Sequence, residues 1–428
     1  MANLLIISAW YYPFIHPRAH RWTSLAEYWA AQGHEVHVVC ARQRGYLKRD
    51  QVRGVWVHRA GFDSLKEVVY YYAGLKGGRG RVGQRVVRPG WVLRLFTWLY
   101  KVVWKKIYFP DDACIWYFPA RKQVRALLRQ YEFDAVISVS LPFTGHLIGQ
   151  YAKRKVPDLA WLADIGDPFA QPAQALNNPL FYGRLSRRLE AQIFKLADAI
   201  VVTNPAIQAV YRRVYGAVAD KVHVVPPLLH PAWQPEDLEP RDSKNSMIHL
   251  GYFGALYKPV RTPDALLLLL EKTFAARPYL CGKLLVHFFG EVFPEFYEKF
   301  VGVAYVQLHG LRSREEIRLA MRQMDILLNI GNTTPYQLPS KAVEYLASGK
   351  PVLHLSYVED DAFVQFWGED SRLLILSVQQ NRVSEVQFRH WLHFLEADFA
   401  SEDHPQGNRI KPFEIEAVSA AYIKLLKI

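Results

Sequence analysis

Residues 336–353 read YQLPSKAVEYLASGKPVL, and this stretch decides how the rest of the chain is interpreted. Pro339 favours a break in whatever precedes it, and Ser340 is a residue type whose side chain accepts hydrogen bonds from the first N–H groups of a helix. The pattern therefore predicts a helix that begins at Lys341. Gly349 supplies the left-handed stop after about two turns, and a strand is expected to follow.

The start of this helix combines polar groups of two kinds. Glu344 comes one position too late to form a capping box with Ser340, so its carboxylate is predicted to stay uncommitted one turn into the helix. A diphosphate fits the N–H groups at Ser340 and the charge of Lys341, and a ribose diol fits Glu344. On the motif alone, a solvated glutamate on an ordinary helix is the simpler interpretation, and the rest of the chain decides between the two.

The run Pro-Ser-Lys-x-x-Glu-Tyr-Leu-Ala-Ser-Gly-Lys-Pro-Val-Leu resembles the donor-nucleotide motif of retaining glycosyltransferases of the GT-B fold, family 4 and its relatives. The resemblance implies an α/β fold with two Rossmann-like, doubly wound domains that face a central cleft. It also implies that Glu344 binds the ribose of the donor. The family often has a second glutamate eight positions earlier that contacts the transferred sugar, and this chain has Tyr336 there.

Length and composition narrow the possibilities further. The 428 residues exceed one ordinary core and half of them are hydrophobic, so two globular domains are expected. Three widely spaced cysteines indicate no disulfide framework and favour a reducing compartment. No basic region precedes the first apolar run and no apolar stretch reaches the roughly 18 residues of a membrane span, so a cytoplasmic protein is expected. The net charge of +13 favours an anionic partner: nucleotide phosphates, nucleic acid or a membrane surface.

The order of the patterns predicts the domain boundaries. LLIIS, a loop, a helical face and EVHVVCA open a βαβ unit at the N-terminus. The proline-rich residues 227–246 have no periodicity and are expected to link two domains, residues 1–226 and 247–411. The resemblance implies that the first domain binds the acceptor and the second the nucleotide sugar. It also implies that a final helix within 412–428 returns to the first domain.

Further donor-binding residues are predicted in the second domain. MIHLGYFGALY predicts a strand and a glycine-rich turn that includes Gly254, with Lys258 and Arg261 shortly after it. In the family that the chain resembles, a basic pair in this loop binds the donor diphosphate, and the later turn HGL corresponds to the nucleobase slot. Arg261 and Lys341 are accordingly the expected catalytic cations for the leaving diphosphate. The predicted donor-binding residues are Gly254, Lys258, Arg261, His309, Gly310, Ser340, Lys341 and Glu344.

Two loops of the first domain are predicted to reach the cleft, because both follow strands. The loop after the first strand lacks the glycines of the family, so Arg18 or Arg21 could contact acceptor or phosphate as a charged fork. A later strand leads to Asp164 and Asp167. Two carboxylates suggest a metal site, but such residues in a Gly-Asp-Pro turn are more often turn formers and helix caps, and the family needs no bound metal. No metal and no cofactor are therefore predicted.

Residues 74–90 and 91–109 carry much of the positive charge. The first segment is rich in glycine and arginine and predicts a basic loop. The second, WVLRLFTWLYKVVWKKIYF, places Arg94, Lys101 and Lys105 on one narrow stripe of an otherwise apolar and aromatic helix. This pattern is typical of an interfacial helix on an anionic membrane, and equally of a buried helix with its basic stripe exposed. Nucleic acid is not predicted as a partner, because no recognised binding signature accompanies the charge.

These observations predict a retaining, metal-independent glycosyltransferase that moves a sugar from a nucleotide-activated donor to a glycan or lipid-linked acceptor. Its expected role is cell-surface polysaccharide or glycolipid synthesis, in the cytoplasm and peripherally at the inner face of the plasma membrane. Two alternatives stay open. A GT-B sugar-nucleotide epimerase requires carboxylates around the sugar, where this chain has Tyr336. A non-enzymatic basic protein that binds a membrane surface or nucleic acid on a degenerate GT-B scaffold would have no need of Arg261, Lys341 and Glu344 together.

Overall fold

The structure is a computed structural model that describes residues 1–14, 16–72, 91–170, 176–231, 233, 247–257, 261–397 and 407–428. The chain forms two compact units: Met1–His230 together with Glu414–Ile428, and Pro231–Phe413. The predicted basic loop 74–90, most of the predicted linker and Lys258 lie outside the described residues. Each unit is an α/β domain built on a mainly parallel sheet.

The sheet of the first unit contains β1 (Asn3–Ile7), β2 (Glu35–Cys40), β3 (Arg49–Val52), β4 (Val55–Arg59), β5 (Ala135–Ser140), β6 (Ala160–Ile165), β7 (Ala199–Val202) and β8 (Val222–Val224). The strand order is β3-β4-β2-β1-β5-β6-β7-β8, and β3 pairs antiparallel with β4 whereas the other described pairs are parallel. Strands β1, β5 and β6 are buried along almost their whole length, as expected where helices cover both faces. The chain changes direction across the sheet between β1 and β5, which is where doubly wound sheets bind ligands.

The helices of this unit are α1 (Pro17–Ala31), α2 (Leu65–Tyr72), α3 (Trp91–Leu99), α4 (Lys105–Ile107), α5 (Tyr117–Gln130), α6 (Thr144–Lys155), α7 (Pro179–Leu196) and α8 (Pro205–Val214). A π-helical turn, Tyr100–Trp104, joins α3 to α4. The predicted inward face of α1 is confirmed, since Trp22, Leu25 and Trp29 are buried at helical spacing. Within the described residues, no helix combines the length and apolar character needed to cross a bilayer.

The sheet of the second unit is parallel throughout its described strands: β9 (Ile248–Phe253), β10 (Leu284–Phe289), β11 (Val306–Gly310), β12 (Ile326–Ile330), β13 (Val352–Ser356) and β14 (Leu373–Ser377). Its order is β11-β10-β9-β12-β13-β14, with the change of direction between β9 and β12. The helices are α9 (Asp264–Ala276), α10 (Pro294–Phe300), α11 (Arg314–Arg322), α12 (Ala342–Ser348), α13 (Ala362–Trp367), α14 (Glu385–Glu396) and α15 (Gly407–Ile410). The prediction of two parallel-sheet α/β domains is confirmed.

The last helix, α16 (Ile415–Leu426), packs within the first unit. The indole N–H of Trp29 on α1 donates to the hydroxyl of Ser419 at 2.8 Å, and the ring of Tyr422 lies 5.3 Å from that of Trp22. This helix lies within the predicted range 412–428 and begins after a 3-10 turn formed by Lys411–Phe413.

Candidate active site

The carboxyl end of β9 brings Arg261 against the backbone of Gly254. A Cβ atom at Gly254 would lie 3.0 Å from the hydroxyl of Tyr252 and 3.4 Å from Nη1 of Arg261, so the guanidinium is within van der Waals range of this glycine. The backbone of Arg261 exchanges two hydrogen bonds with that of Tyr257, at 2.9 and 3.1 Å. Burial raises the pKa of Tyr252, and the charge of Arg261 opposes that shift. A cation is thus fixed beside the strand at which the sheet changes direction.

Asn332 holds the Arg261 side chain in position by a hydrogen bond. Its Oδ1 accepts from Nε of Arg261 at 2.8 Å, and its Nδ2 donates to the carbonyl of Gln337 at 2.8 Å. Asn332 is itself buried just after β12. One amide therefore joins the loop of Arg261 to the 336–353 stretch, a role that the sequence pattern does not reveal.

The start of α12 differs from the prediction. The helix begins at Ala342 with Lys341 as its N-cap residue, no side chain caps it, and Ser340 is exposed. The N–H of Ala342 donates instead to the carbonyl of Pro339 at 3.0 Å, so a backbone turn takes the place of the predicted serine cap. The prediction that Ser340 caps a helix starting at Lys341 is therefore wrong. The predicted stop is confirmed, since Gly349 has a φ of 63°.

Glu344 is buried and accepts a hydrogen bond from Nζ of Lys341 at 3.2 Å, so its carboxylate is paired rather than uncommitted. A second cation is near it. Burial lowers the pKa of Arg314, at the start of α11, and the charge of Glu344 opposes that shift. The carboxylate therefore lies in the field of two cations, of which sequence reasoning identified one.

Tyr345 fixes α12 to the sheet. Its hydroxyl accepts from the N–H of Phe253 at 3.2 Å and donates to the carbonyl of Leu328 at 3.0 Å. Burial raises its pKa, so the hydroxyl keeps its proton. Because Phe253 and Leu328 belong to β9 and β12, one side chain sets the position of Lys341 and Glu344 relative to both strands.

His309 and Gly310 line a cavity at the end of β11. The cavity measures about 310 Å³ and is bounded by Gly290, Val292, Tyr297, Leu308, His309 and Gly310. The ring of His309 stacks on Phe289 with centroids 4.2 Å apart, and its Nε2 is 3.0 Å from Nδ1 of His287. Burial, followed by the charge of Arg312, lowers the pKa of His309. The cavity therefore has a neutral aromatic wall.

The charged residues predicted for the first unit meet each other inside that unit. Asp164 lies in β6, is buried, and forms an ion pair with Arg18. Nε of Arg18 donates to the carbonyl of Ser140 at 2.9 Å. Burial lowers the pKa of Arg18 to about 10, and the charge of Arg21 adds to the shift. Asp167 is half-buried nearby.

Arg21 and Tyr422 extend this buried cluster. Nη1 of Arg21 donates to the carbonyl of Pro226 at 2.7 Å, and Nη2 donates to the hydroxyl of Tyr422 at 3.0 Å. That hydroxyl donates in turn to Asp164. Contact of Arg18 and Arg21 with acceptor or phosphate stays a prediction, and the structure gives each guanidinium partners within its own unit.

Comparison with known protein families gives a match over the first half of the chain. The model of Glycosyltransferase Family 4 matches residues 19–232, which is half of the chain. Comparison with curated proteins finds no match. The family match falls entirely outside the 336–353 motif, so the two observations rest on different residues.

Several solved structures share the fold. The match to sucrose-phosphate synthase from Thermosynechococcus elongatus has 14% identity and a TM-score of 0.66 and covers 100% of this chain and 98% of that one. The match to α,α-trehalose 6-phosphate synthase from Burkholderia multivorans has 10% identity and a TM-score of 0.65, and it covers 100% of this chain and 98% of that one. The match to WaaG, described as a glycosyltransferase involved in lipopolysaccharide biosynthesis, has 14% identity and a TM-score of 0.54. It covers 98% of this chain and 94% of that one.

At such identities these structures establish the fold alone, and that fold is GT-B. The family match supplies the activity and supports neither the epimerase nor the non-enzymatic alternative. The chain belongs to glycosyltransferase family 4 and is a glycosyltransferase of the GT-B fold.

Proposed function

We propose that the enzyme transfers a sugar from a nucleoside-diphosphate donor to an acceptor hydroxyl, with retention at the anomeric carbon and without a bound metal. The observation that carries the proposal is the arrangement of Arg261, Lys341 and the buried Glu344 at the carboxyl ends of the strands of the second unit. With Arg314 included, cations outnumber carboxylates, which suits a diphosphate.

The proposed reaction needs little from the protein besides charge. The bond between the anomeric carbon and the donor phosphate oxygen breaks, and the acceptor oxygen forms a bond to the same carbon on the same face. The departing phosphate oxygen takes the proton of the acceptor, so no side chain acts as the base. Negative charge grows on the diphosphate, where Arg261 and Lys341 stabilise it.

The remaining predicted residues have places in this scheme. Glu344 accepts from the ribose hydroxyls, and the cavity at His309 and Gly310 receives the nucleobase. Gly254 lets the diphosphate approach the backbone beside Arg261, with Lys258 as its expected second cation. Since Tyr336 stands where the family often has a glutamate, we expect the transferred sugar to be held differently.

A ligand screen tests the donor assignment. Thermal unfolding is measured with a panel of nucleoside diphosphates and nucleotide sugars, and a ligand at 100 times its Kd should add about 2.7 kcal/mol. The cognate donor is then used in turnover assays with and without EDTA, and NMR of the product gives the anomeric configuration. Inversion, or loss of turnover in EDTA, would contradict the corresponding part of the proposal.

We further propose that the acceptor is lipid-linked and that the enzyme docks on an anionic leaflet, as expected for polysaccharide or glycolipid synthesis at the inner face of the plasma membrane. Trp91 is 77% exposed and Trp98 is 57% exposed, which favours the interfacial alternative over a buried helix. Lys105 and Lys106, further along the same segment, are exposed, and each basic residue near such a surface contributes about 1 kcal/mol. WaaG, which shares the fold, acts in lipopolysaccharide biosynthesis.

Co-sedimentation with liposomes tests the docking. Binding is expected to anionic but not to neutral vesicles, and it should weaken as salt is raised because the attraction acts over about one Debye length. Indifference to anionic vesicles at low salt would favour a soluble acceptor.

A further inference from the structure

The first turns of α7 expose a second apolar face. Leu180 is 91% exposed and Phe181 is 72% exposed, and Leu185 on the next turn is also exposed. Asn178 caps the helix by accepting from the N–H of Leu180 at 3.2 Å, so the two side chains are presented by an ordered helix start. Contiguous exposed apolar patches with a polar rim often mark interaction sites on soluble proteins.

This face adjoins the aromatic segment 91–109. The hydroxyl of Tyr182 donates to the carbonyl of Ile107 at 2.8 Å, and its ring lies 5.0 Å from that of Phe109. Nδ2 of Asn177 donates to the carbonyl of Pro110 at 2.8 Å. Ile107 is itself half exposed, so the end of the aromatic segment and the start of α7 form one continuous surface.

The charge of this surface indicates what covers it. Residues 91–110 contain four basic and no acidic residues, and residues 176–189 contain three basic and no acidic residues. Along α7, exposed apolar and basic side chains share one helical stripe, namely Phe181, Arg184, Leu185 and Arg188. A second copy of the chain would bring these like charges together, whereas an anionic bilayer offers headgroups to the basic residues and acyl chains to the apolar ones.

We propose that Leu180 and Phe181 insert into an anionic bilayer as a second anchor beside the aromatic segment. The inference rests on the proposed membrane docking and adds its geometry. One interfacial helix allows the protein to roll about the helix axis, whereas a neighbouring second contact prevents this and fixes how the first unit faces the leaflet.

The test compares three variants of the full chain. Leu180→Glu/Phe181→Glu removes the proposed anchor, Trp98→Glu weakens the aromatic segment, and Val301→Glu/Leu319→Glu makes the same change at exposed apolar residues of the second unit. Binding is measured with phosphatidylcholine vesicles with and without phosphatidylserine. The α7 double variant should bind anionic vesicles roughly tenfold more weakly than the wild type does, because membrane partitioning scales with the apolar area inserted. The Val301/Leu319 variant should bind as the wild type does.

Further measurements separate the possible outcomes. Vesicles should slow hydrogen exchange of α7 in the wild type, and the thermal midpoint of the α7 variant should stay unchanged because both side chains are exposed. If that variant binds as tightly as the wild type while Trp98→Glu does not, the second anchor is refuted and membrane docking stands. If the wild type ignores anionic vesicles, both proposals fail. If the substitutions convert a dimer into a monomer in sedimentation velocity, the face is a self-association surface and the inference is overturned.

Discussion

Both units place charged side chains at the carboxyl ends of parallel strands, but the two sets of charges have different partners. In the first unit, Arg18 and Arg21 meet Asp164, Tyr422 and backbone carbonyls in a buried cluster. In the second unit, Lys341 pairs with Glu344 but keeps 25% of its side chain exposed, and Arg261 is oriented through Nε by a neutral amide.

The difference teaches that a position at a strand end does not by itself make a charge available to a ligand. Removing one partner of a fully buried charge pair destabilises the fold, whereas charges that stay partly exposed or are oriented by a neutral group can contribute to binding. Substitutions in the two clusters should therefore have opposite signatures, with loss of stability in the first unit and loss of activity in the second.

Asp164→Ala has the largest expected effect. It leaves Arg18 buried without its carboxylate, and breaking a buried ion pair in this way costs about 3–5 kcal/mol. Urea unfolding followed by tryptophan fluorescence measures the loss. Glu27→Ala is the matched control, because it removes the carboxylate of a pair whose arginine, Arg53, is 70% exposed, and such pairs contribute less than about 1 kcal/mol. Equal losses for the two variants would contradict the structural role of the first cluster.

Arg261→Ala should have the opposite effect, lowering activity while leaving stability nearly unchanged. Turnover is expected to fall by about 10²- to 10³-fold, as when one donor to a developing charge is removed, while the urea midpoint stays near that of the wild type. Lys341→Ala should lower turnover less. The control is Arg389→Ala, a change to an exposed cation on α14. Full turnover of the Arg261 variant with the cognate donor would exclude contact with the diphosphate.

Glu344→Ala should weaken the binding of nucleoside diphosphates by about 1–3 kcal/mol, the range for hydrogen bonds to a charged group. Calorimetry measures the affinity, with Glu315→Ala as an exposed control on α11. Equal affinities of the variant and the wild type would remove Glu344 from the donor site.

The buried carboxylates of the two units should respond to acid in opposite directions. In the first unit, burial raises the pKa of Asp111 and Glu190 above their ordinary values of 3.8 and 4.5. Their contribution to stability is complete below those values and is lost as the pH rises through the raised pKa. In the second unit, burial opposes ionisation of Asp370, but hydrogen bonds from Arg372 and Arg409 outweigh it and lower the pKa.

The contribution of Asp370 is therefore present above its ordinary value of 3.8 and is lost as the pH falls through the lowered one. Hydrogen exchange measured as the pH falls from about 4 to about 2 should accelerate around Asp370 before it does so around Glu190, after correction for intrinsic rates. Asp370→Asn should remove this pH dependence. The reverse order of opening would contradict the assignment.

Much of the fold was predictable because it depends on local patterns. Buried strands, the inward face of α1 and the stop at Gly349 follow from spacing and from single residues that few conformations tolerate. The antiparallel pair β3 and β4 was not predicted. The β3 sequence RDQV is short and polar, and it forms a strand only because it pairs with β4 at the edge of the sheet.

The site was predictable only in part, because its supporting contacts join residues distant in the sequence. Arg261 and Asn332 are 71 positions apart, and Phe253 and Tyr345 are 92 positions apart. Such pairs depend on the register of β9 and β12, which no local motif encodes. For the same reason the motif identified Glu344 but not the proximity of Arg314.

The smallest expected effect comes from a comparison of two serines that precede helices of the second unit. Ser313 caps α11 in a reciprocal box, with its hydroxyl accepting from the N–H of Glu316 at 3.3 Å and its own N–H donating to the Glu316 carboxylate at 2.7 Å. Ser340 is exposed and caps nothing. Ser313→Ala should therefore cost about 1 kcal/mol of unfolding free energy, and Ser340→Ala should stay within about 0.5 kcal/mol. If Ser340→Ala leaves stability unchanged but weakens nucleoside diphosphate binding, its hydroxyl serves the ligand; a stability loss equal to that of Ser313→Ala would show that it caps α12 in solution.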